Sequence, residues 1–330
     1  MRAALIAALA ALIALPVQAQ VSRLPRDQFD VIPPESRIAG ERGDLKVIQP
    51  LCRVGPTHWA RRRVVDIAVQ EWAMFGYQTA DARVVETRRL PDEVVAQAVN
   101  PLRSEPRSAR IFLRLGGWED EPRFDKVIAG YWSATADGPA IIERQNRLWN
   151  STDHDVSWVE PWSAAFVSWV MCEAGLGEMA QFERHVGHRV YIDQAIRARD
   201  GQAPEAAFVA YDAGEAQIAP GDLLCNARGG VNYRSLADRR PEMGEHAPAH
   251  CDIVVRVAED RINVIGGNVV DGMTLTILPL TQDGGAYPRP VSGDDLAGSR
   301  TVFAHLKLQA DPVEPDAMDH SPTIRALSGG

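Results

Sequence analysis

The chain is short of positive charge, of cysteine and of long apolar runs, and each shortage removes a class of protein. Its 35 Lys and Arg stand against 44 Asp and Glu, a net charge of −9. Phosphate recognition needs a basic field, so no nucleic-acid partner is expected. The main basic run, Arg61-Arg62-Arg63, reads as the solvated start of a helix. Only residues 3–15 form a long apolar run, too short for a comfortable bilayer span, and no later segment is longer. With Arg2 before it and Val17-Gln18-Ala19 behind it, residues 1–19 read as a secretory signal peptide, and no cysteine follows to take a lipid. The mature protein is expected to be periplasmic or secreted, with no integral membrane span. The 4 cysteines, Cys52, Cys172, Cys225 and Cys251, contain no Cys-x-x-Cys pair, which argues against structural zinc. In an oxidising compartment an even number allows one or two disulfides, and the sequence does not choose among the pairings. Neither a metal nor a cofactor is expected, and nothing indicates oligomeric state.

What is present reads as a globular α+β chain. Residues 20–54 are rich in Pro, Arg, Asp and Glu without periodicity, an extended leader that either wraps the domain or hangs as a flexible arm. From residue 55 the pattern becomes regular. Val64, Ile67, Ala68, Trp72 and Phe75 lie on one helical stripe, making Trp72 a core residue, and Gly76 stops it. Short elements are expected over 82–87, 92–99, 110–115, 127–133 and 140–148, and a loop over 149–155. Pro161 and Gly175 then bracket one apolar helix with Ser163 at its mouth on the buried face, beside Phe166, Val167, Val170 and Met171. A helical pattern over 182–198 carries His185 and His188 at i, i+3; this spacing suits a metal, yet no further ligand is placed to complete a set, and solvated or capping histidines are expected. From Pro220 the segments 221–225, 251–257, 261–265, 273–278 and 301–308 are short, rich in β-branched residues and divided by turns, which implies an antiparallel sheet or small barrel. The insertion between Cys225 and His250, with Tyr233 and His246, is too polar for core and is expected to border a cleft. Residues 311–330 read as a disordered tail.

Four motifs occur in order within residues 158–280: Pro161-Trp162-Ser163-Ala164-Ala165-Phe166-Val167, Pro220-Gly221-Asp222-Leu223, His250-Cys251-Asp252-Ile253-Val254-Val255 and Ile265-Gly266-Gly267-Asn268. This order resembles the papain-like cell-wall amidases and peptidases of the NlpC and CHAP type. More closely, it resembles the uncharacterised bacterial family catalogued as domain of unknown function 2272. The resemblance implies a papain-like α+β fold, a central helix packed on a small antiparallel sheet or barrel, with the helix over 61–75 as an N-terminal elaboration of a domain spanning 55–310. In the amidase-like relatives the first motif carries Cys where this chain has Ser163. A thiolate at a helix N-terminus gains from the helix dipole and from a neighbouring imidazolium. The resemblance assigns that imidazole to His250 and its orienting group to Asn268, with Asp252 as the spare because it shares the strand face of His250. Glu160, Trp162 and Asp222 would shape the cleft, although Asp222 also reads as a turn residue. The related fold sets the strands of Cys225 and Cys251 side by side, which makes a disulfide between them an alternative, and Cys172 reads as a buried free thiol.

Ser163 interrupts that chemistry, because a serine hydroxyl must lose its proton to an aligned base. Three expectations follow. Ser163, His250 and Asn268 act as a serine-type amidase or peptidase on peptidoglycan; or catalysis is lost and the scaffold binds peptidoglycan or an envelope partner; or a nearby thiol substitutes. Ser163 also has a plain structural use, since its hydroxyl suits a first-turn N–H.

Overall fold

A computed structural model describes residues 22–82, 116–151, 156–283, 285–292 and 301–328. The signal peptide, the elements expected at 92–99 and 110–115, and most of that expected at 82–87 lie outside these residues.

In chain order the helices are α1 (Ala60–Met74), α2 (Asp125–Trp132), α3 (Gly138–Ser151), α4 (Ser163–Ala174), α5 (Arg189–Arg199), the short α6 (Leu236–Arg239) and α7 (Pro322–Ser328). Strands β1 (Ile38–Ala39) and β2 (Lys46–Val47) pair by themselves. The remaining strands are β3 (Thr79–Asp81), β4 (Phe208–Tyr211), β5 (Leu223–Ala227), β6 (Ala249–Val257), β7 (Arg261–Val269), β8 (Gly272–Thr281), β9 (Arg289–Pro290) and β10 (Val302–Leu308). They form one sheet in the order β3-β8-β7-β6-β5-β10-β4, with β9 added on β8. Every pairing is antiparallel except β3 with β8. The mixed α+β class is as expected, and the sheet is open along this path.

The helix between Pro161 and Gly175 is α4, and all of its residues are buried. A helix apolar on every side has to be enclosed. It packs on α1 and α2 and on strands β6 and β7. Gly175 closes it at φ 102°, in the left-handed region that a helix C-terminus uses. Trp72 is buried in α1, its indole N–H donating to the Gln78 carbonyl at 2.7 Å.

Two terminal segments are more firmly built than their composition suggests. Arg23, whose side chain is largely covered, forms ion pairs with Glu71 and Glu35, each at 2.6 Å. Buried Arg37 pairs with Glu173 at the end of α4, and Cys52 is bonded to Cys172 in the same helix. The leader therefore wraps the domain, and Cys172 is not the free thiol expected. The expected disordered tail is also corrected: residues 317–320 form a helical turn and α7 packs on α1, with Ala317 and Met318 in the core. Tails without periodicity can still be held by a few apolar anchors, which a periodicity reading does not detect. The insertion after Cys225 likewise contributes Tyr233, Leu236 and Ala247 to the core. Arg239 fastens it by a two-pronged bond to Asp193 at 2.8 and 2.7 Å.

Candidate functional site

The mouth of α4 is anchored first. Trp162 is fully buried, and its ring lies 5.8 Å from Phe75 and 5.6 Å from Tyr131. Its indole N–H donates to Glu119 Oε2 at 2.8 Å. With the Asn268 amide oriented to satisfy both neighbours, its N–H donates to the same Glu119 oxygen at 3.1 Å and its oxygen accepts the Trp162 backbone N–H at 3.3 Å. Asn268 therefore anchors the start of α4 and does not orient a histidine, a correction to its expected role. Its φ of 54° is left-handed, a conformation asparagine tolerates better than most residues. Trp162 is a core residue and not a cleft wall. Glu119 had no sequence signal, being the first acid of the run Glu119-Asp120-Glu121, which reads as a polar turn.

Ser163 meets a histidine, but not the expected one. Its Oγ lies 2.7 Å from Nε2 of His188, which immediately precedes α5. Nδ1 of His188 accepts the backbone N–H of Cys251 at 3.2 Å and is also bonded to the Tyr191 hydroxyl. The topology explains the Cys251 contact: the β6–β7 ladder reaches Ile253–Ile265 and goes no further along β6 toward Cys251, so that peptide N–H turns to a side chain.

Those contacts fix the tautomer. A peptide N–H can only donate, so the Nδ1 lone pair is committed to it, and the ring proton sits on Nε2. His188 accordingly donates to Ser163. Burial, with smaller contributions from His250 and Arg228, holds the His188 pKa well below 6.5, so the ring is neutral. Burial, followed by the charge of Asp252, raises the Tyr191 pKa well above 10, so its hydroxyl remains a donor to His188.

His250 has a different partner. Its Nε2 is 2.7 Å from Asp252 Oδ1, and its ring centroid is 5.1 Å from that of His188. The two residues share one face of β6, because strand side chains alternate. Gly266 makes the pair sterically feasible: a Cβ there would come within 1.9 Å of Asp252 Oδ1 and 3.0 Å of His250 Nε2. At Gly267 a Cβ would come within 2.6 Å of the Trp162 ring. The glycines of the fourth motif thus serve close packing of strand, histidine pair and helix.

The structure therefore gathers Ser163, His188, Tyr191, His250 and Asp252, with Asn268 at the helix mouth. Ser163 is 4% exposed, His188 4% and His250 2%, so a substrate carbonyl has no open approach to the hydroxyl. Asp222 is placed elsewhere, in a buried node and not a cleft. Arg61 and His305 lie 2.7 and 2.8 Å from its oxygens, and the backbone N–H groups of Leu308 and Ala219 donate to it at 3.0 Å each. Burial would raise its pKa, but His305 and Arg61 together bring it below the usual value. Arg61 is consequently buried, not solvated as expected. Glu160 is at the surface, 3.1 Å from Arg144. His185 and His188 do not act together: His185 Nδ1 accepts the Gly187 N–H at 2.9 Å, while His188 is enclosed with Ser163. The second disulfide, Cys225–Cys251, completes the pairing of all 4 cysteines, which removes the substitute-thiol expectation.

Chemically, the pair lacks a base. Taking the serine proton requires a lone pair on Nε2, hence a proton on Nδ1. That shift would leave the Cys251 N–H facing another donor, at a cost of about 1–3 kcal/mol for one buried unsatisfied group. A general base contributes roughly 10²- to 10⁴-fold to a reaction, and this arrangement forgoes it.

Among known proteins, the family described as an uncharacterized protein conserved in bacteria, DUF2272, matches residues 119–303. No curated protein and no solved structure matches the chain.

Proposed function

This chain belongs to the DUF2272 family, and we propose that it is an exported envelope protein on a papain-like, NlpC- or CHAP-type scaffold that has lost turnover at Ser163 and binds cell-wall peptide. One observation carries the loss of turnover: His188 offers Ser163 a proton and keeps its lone pair for Cys251. Further support comes from the burial of the hydroxyl and from the separate engagement of His250 with Asp252. The scaffold reading rests on the four ordered motifs and on a helix mouth packed against an antiparallel sheet that carries a histidine. Export is supported by the signal-peptide pattern and by two disulfides, which persist in oxidising compartments.

Muropeptide digestion and sedimentation with purified sacculi test the proposal together. Wild type and Ser163→Ala are expected to release no new peptide or amine products, and wild type to co-sediment with sacculi. Products from wild type that vanish in Ser163→Ala would establish a serine-type hydrolase instead. Absence of co-sedimentation would remove the binding half.

A further inference from the structure

Solvent reaches the two disulfides unequally. Cys225 and Cys251 face each other across β5 and β6, and both are fully buried. Cys172 is equally buried in α4, but its partner Cys52 is partly exposed, on a stretch of the leader whose Leu51 and Val54 are 72% and 63% exposed. Thiol–disulfide exchange requires a thiolate to reach one sulfur from the side opposite the other. The protein interior blocks that line at Cys172, Cys225 and Cys251, and Cys52 is the one cysteine of the 4 that solvent reaches.

The sulfur that would leave sits in a positive setting. Arg37 is fully buried, and its Nη2 donates to Cys172 Sγ at 3.5 Å while it also pairs with Glu173. Glu173 does not cancel that charge, because two more arginines converge on it. Arg53 lies 3.3 Å from its carboxylate and 2.8 Å from that of Asp30, and Arg63 donates to the backbone carbonyls of Glu173 and Asp30 at 3.1 and 2.9 Å. Three guanidiniums therefore meet two carboxylates, and the next acid, Asp66, is paired with Arg62 at 3.4 Å. The surplus also offsets the partial negative charge at the C-terminal end of α4. A thiol of lowered pKa leaves faster, so the setting favours Cys172 as the leaving thiolate.

Breaking the bond would not free the leader. The Arg53 N–H donates to the Cys172 carbonyl at 3.1 Å and the Gly55 N–H to the Gly175 carbonyl at 2.8 Å. The Gln181 side chain donates to the Gly55 carbonyl at 3.0 Å, and Arg37 donates to the Gln49 carbonyl at 3.2 Å. These contacts keep the two sulfurs neighbours, so Cys172 can return to Cys52.

We propose that Cys52 is a thiol-exchange site, at which a small soluble thiol adds to the chain and Cys172 leaves as a thiolate beside Arg37. The attacking thiolate forms a new S–S bond to Cys52 Sγ as the Cys52–Cys172 bond breaks, and the electron pair of the broken bond stays on Cys172. One disulfide replaces another, so the step consumes no oxidant and no reductant. In reverse, the Cys172 thiolate attacks Cys52 and expels the added thiol. Cys172 is at the opposite end of α4 from Ser163, so the exchange stands whatever Ser163 does.

The test incubates the native, full-length mature chain with reduced glutathione at pH 7.5, quenches samples in acid, alkylates free thiols and maps the products by peptide mass spectrometry. Early samples are expected to carry the glutathione adduct on Cys52 and the alkyl label on Cys172, with Cys225–Cys251 opening at least about a hundred-fold more slowly. An adduct on Cys172, no adduct at all, or opening of both disulfides at one rate overturns the proposal. Cys52→Ser examines the leaving group, since it leaves Cys172 as the single free thiol beside Arg37. Followed by thiolate absorbance, that thiol is expected to titrate below about 8.5, the ordinary cysteine value, and titration at or above it overturns the leaving-group assignment. Thermal melts report whether the variant folds; if it does not, the adduct map of wild type decides alone.

Discussion

The two histidines at the α4 mouth sit 5.1 Å apart and divide between them what a hydrolase asks of one. His188 has the serine, but its other nitrogen is used as an acceptor for a peptide N–H and a tyrosine hydroxyl. His250 has the carboxylate, Asp252, on its Nε2, while the serine is held by the other ring. In a working triad a single imidazole bridges nucleophile and acid, so that the acid holds the tautomer that leaves a lone pair toward the hydroxyl. Here no single ring makes both bonds. The lesson is that a serine, two histidines and an acid can be gathered at one helix mouth without any one ring joining serine to acid.

The strongest way to break the comparison is to displace the His250–Asp252 pair. Gly266→Ala puts a methyl 1.9 Å from Asp252 Oδ1, and the pair must move or separate. We expect a loss of about 3 kcal/mol in denaturant unfolding, the range of an overpacked or broken buried pair. A loss below about 0.5 kcal/mol would mean the pair is not fixed in the fold.

The next contrast is electrostatic. The His188 pKa is lower in the folded protein than in the unfolded chain, so neither state binds a proton there above about pH 6.5. Below that pH the unfolded state protonates first, and stability falls with a slope approaching 1.4 kcal/mol per pH unit. Asp66 and Asp125 act oppositely. Burial raises both to about 6, so their contribution to stability increases as pH falls from 7 through that value. The slope of wild type minus His188→Gln isolates the histidine. Stability curves for the two proteins between pH 7.5 and 5 are expected to converge as pH drops, and parallel curves would refute the buried neutral ring.

These contrasts also show how much could be read before folding. The helix bracketed by Pro161 and Gly175 and the strands now labelled β5, β6, β7, β8 and β10 were legible from local punctuation and apolar patterning. That His250 and Asp252 share a strand face was legible too, because an i, i+2 relation is local geometry, although Asn268 was the first expectation for the partner of His250 and Asp252 only the spare. The Ser163–His188 contact was not legible: it joins a helix mouth to the start of another helix 25 residues later, and nothing in either segment specifies the distance. Glu119, the acid beneath Trp162 and Asn268, was hidden for the same reason. Asn268 itself was identified as important, yet its backbone conformation and its bond to the Trp162 N–H give it a structural task. His188 was legible only as half of a His-x-x-His pair, a pattern that the buried ring dissolves.

A smaller effect sharpens the account of His188. Tyr191→Phe removes one of two donors to Nδ1 and is expected to cost about 1 kcal/mol of stability, the net worth of one hydrogen bond. The Cys251 N–H remains, so no hydrolytic activity should appear in muropeptide digestion. Its appearance would show that the tyrosine alone suppresses the base. Smaller still in stability is Ser163→Cys. Because the site is buried and the neutral His188 ring brings no positive charge, the new thiol should titrate at or above about 8.5, the ordinary cysteine value, when followed by thiolate absorbance. Titration below pH 7 would reveal an intact thiolate–imidazolium site.

The central claim concerns the location of one proton, and long-range nitrogen–proton correlation spectra of the histidine rings locate it directly. At pH 7.5, with His188→Gln used to assign the signals, His188 is expected to show the neutral form protonated at Nε2 and bare at Nδ1. A ring protonated at Nδ1, or at both nitrogens, would contradict the account and return Ser163 to the list of nucleophiles.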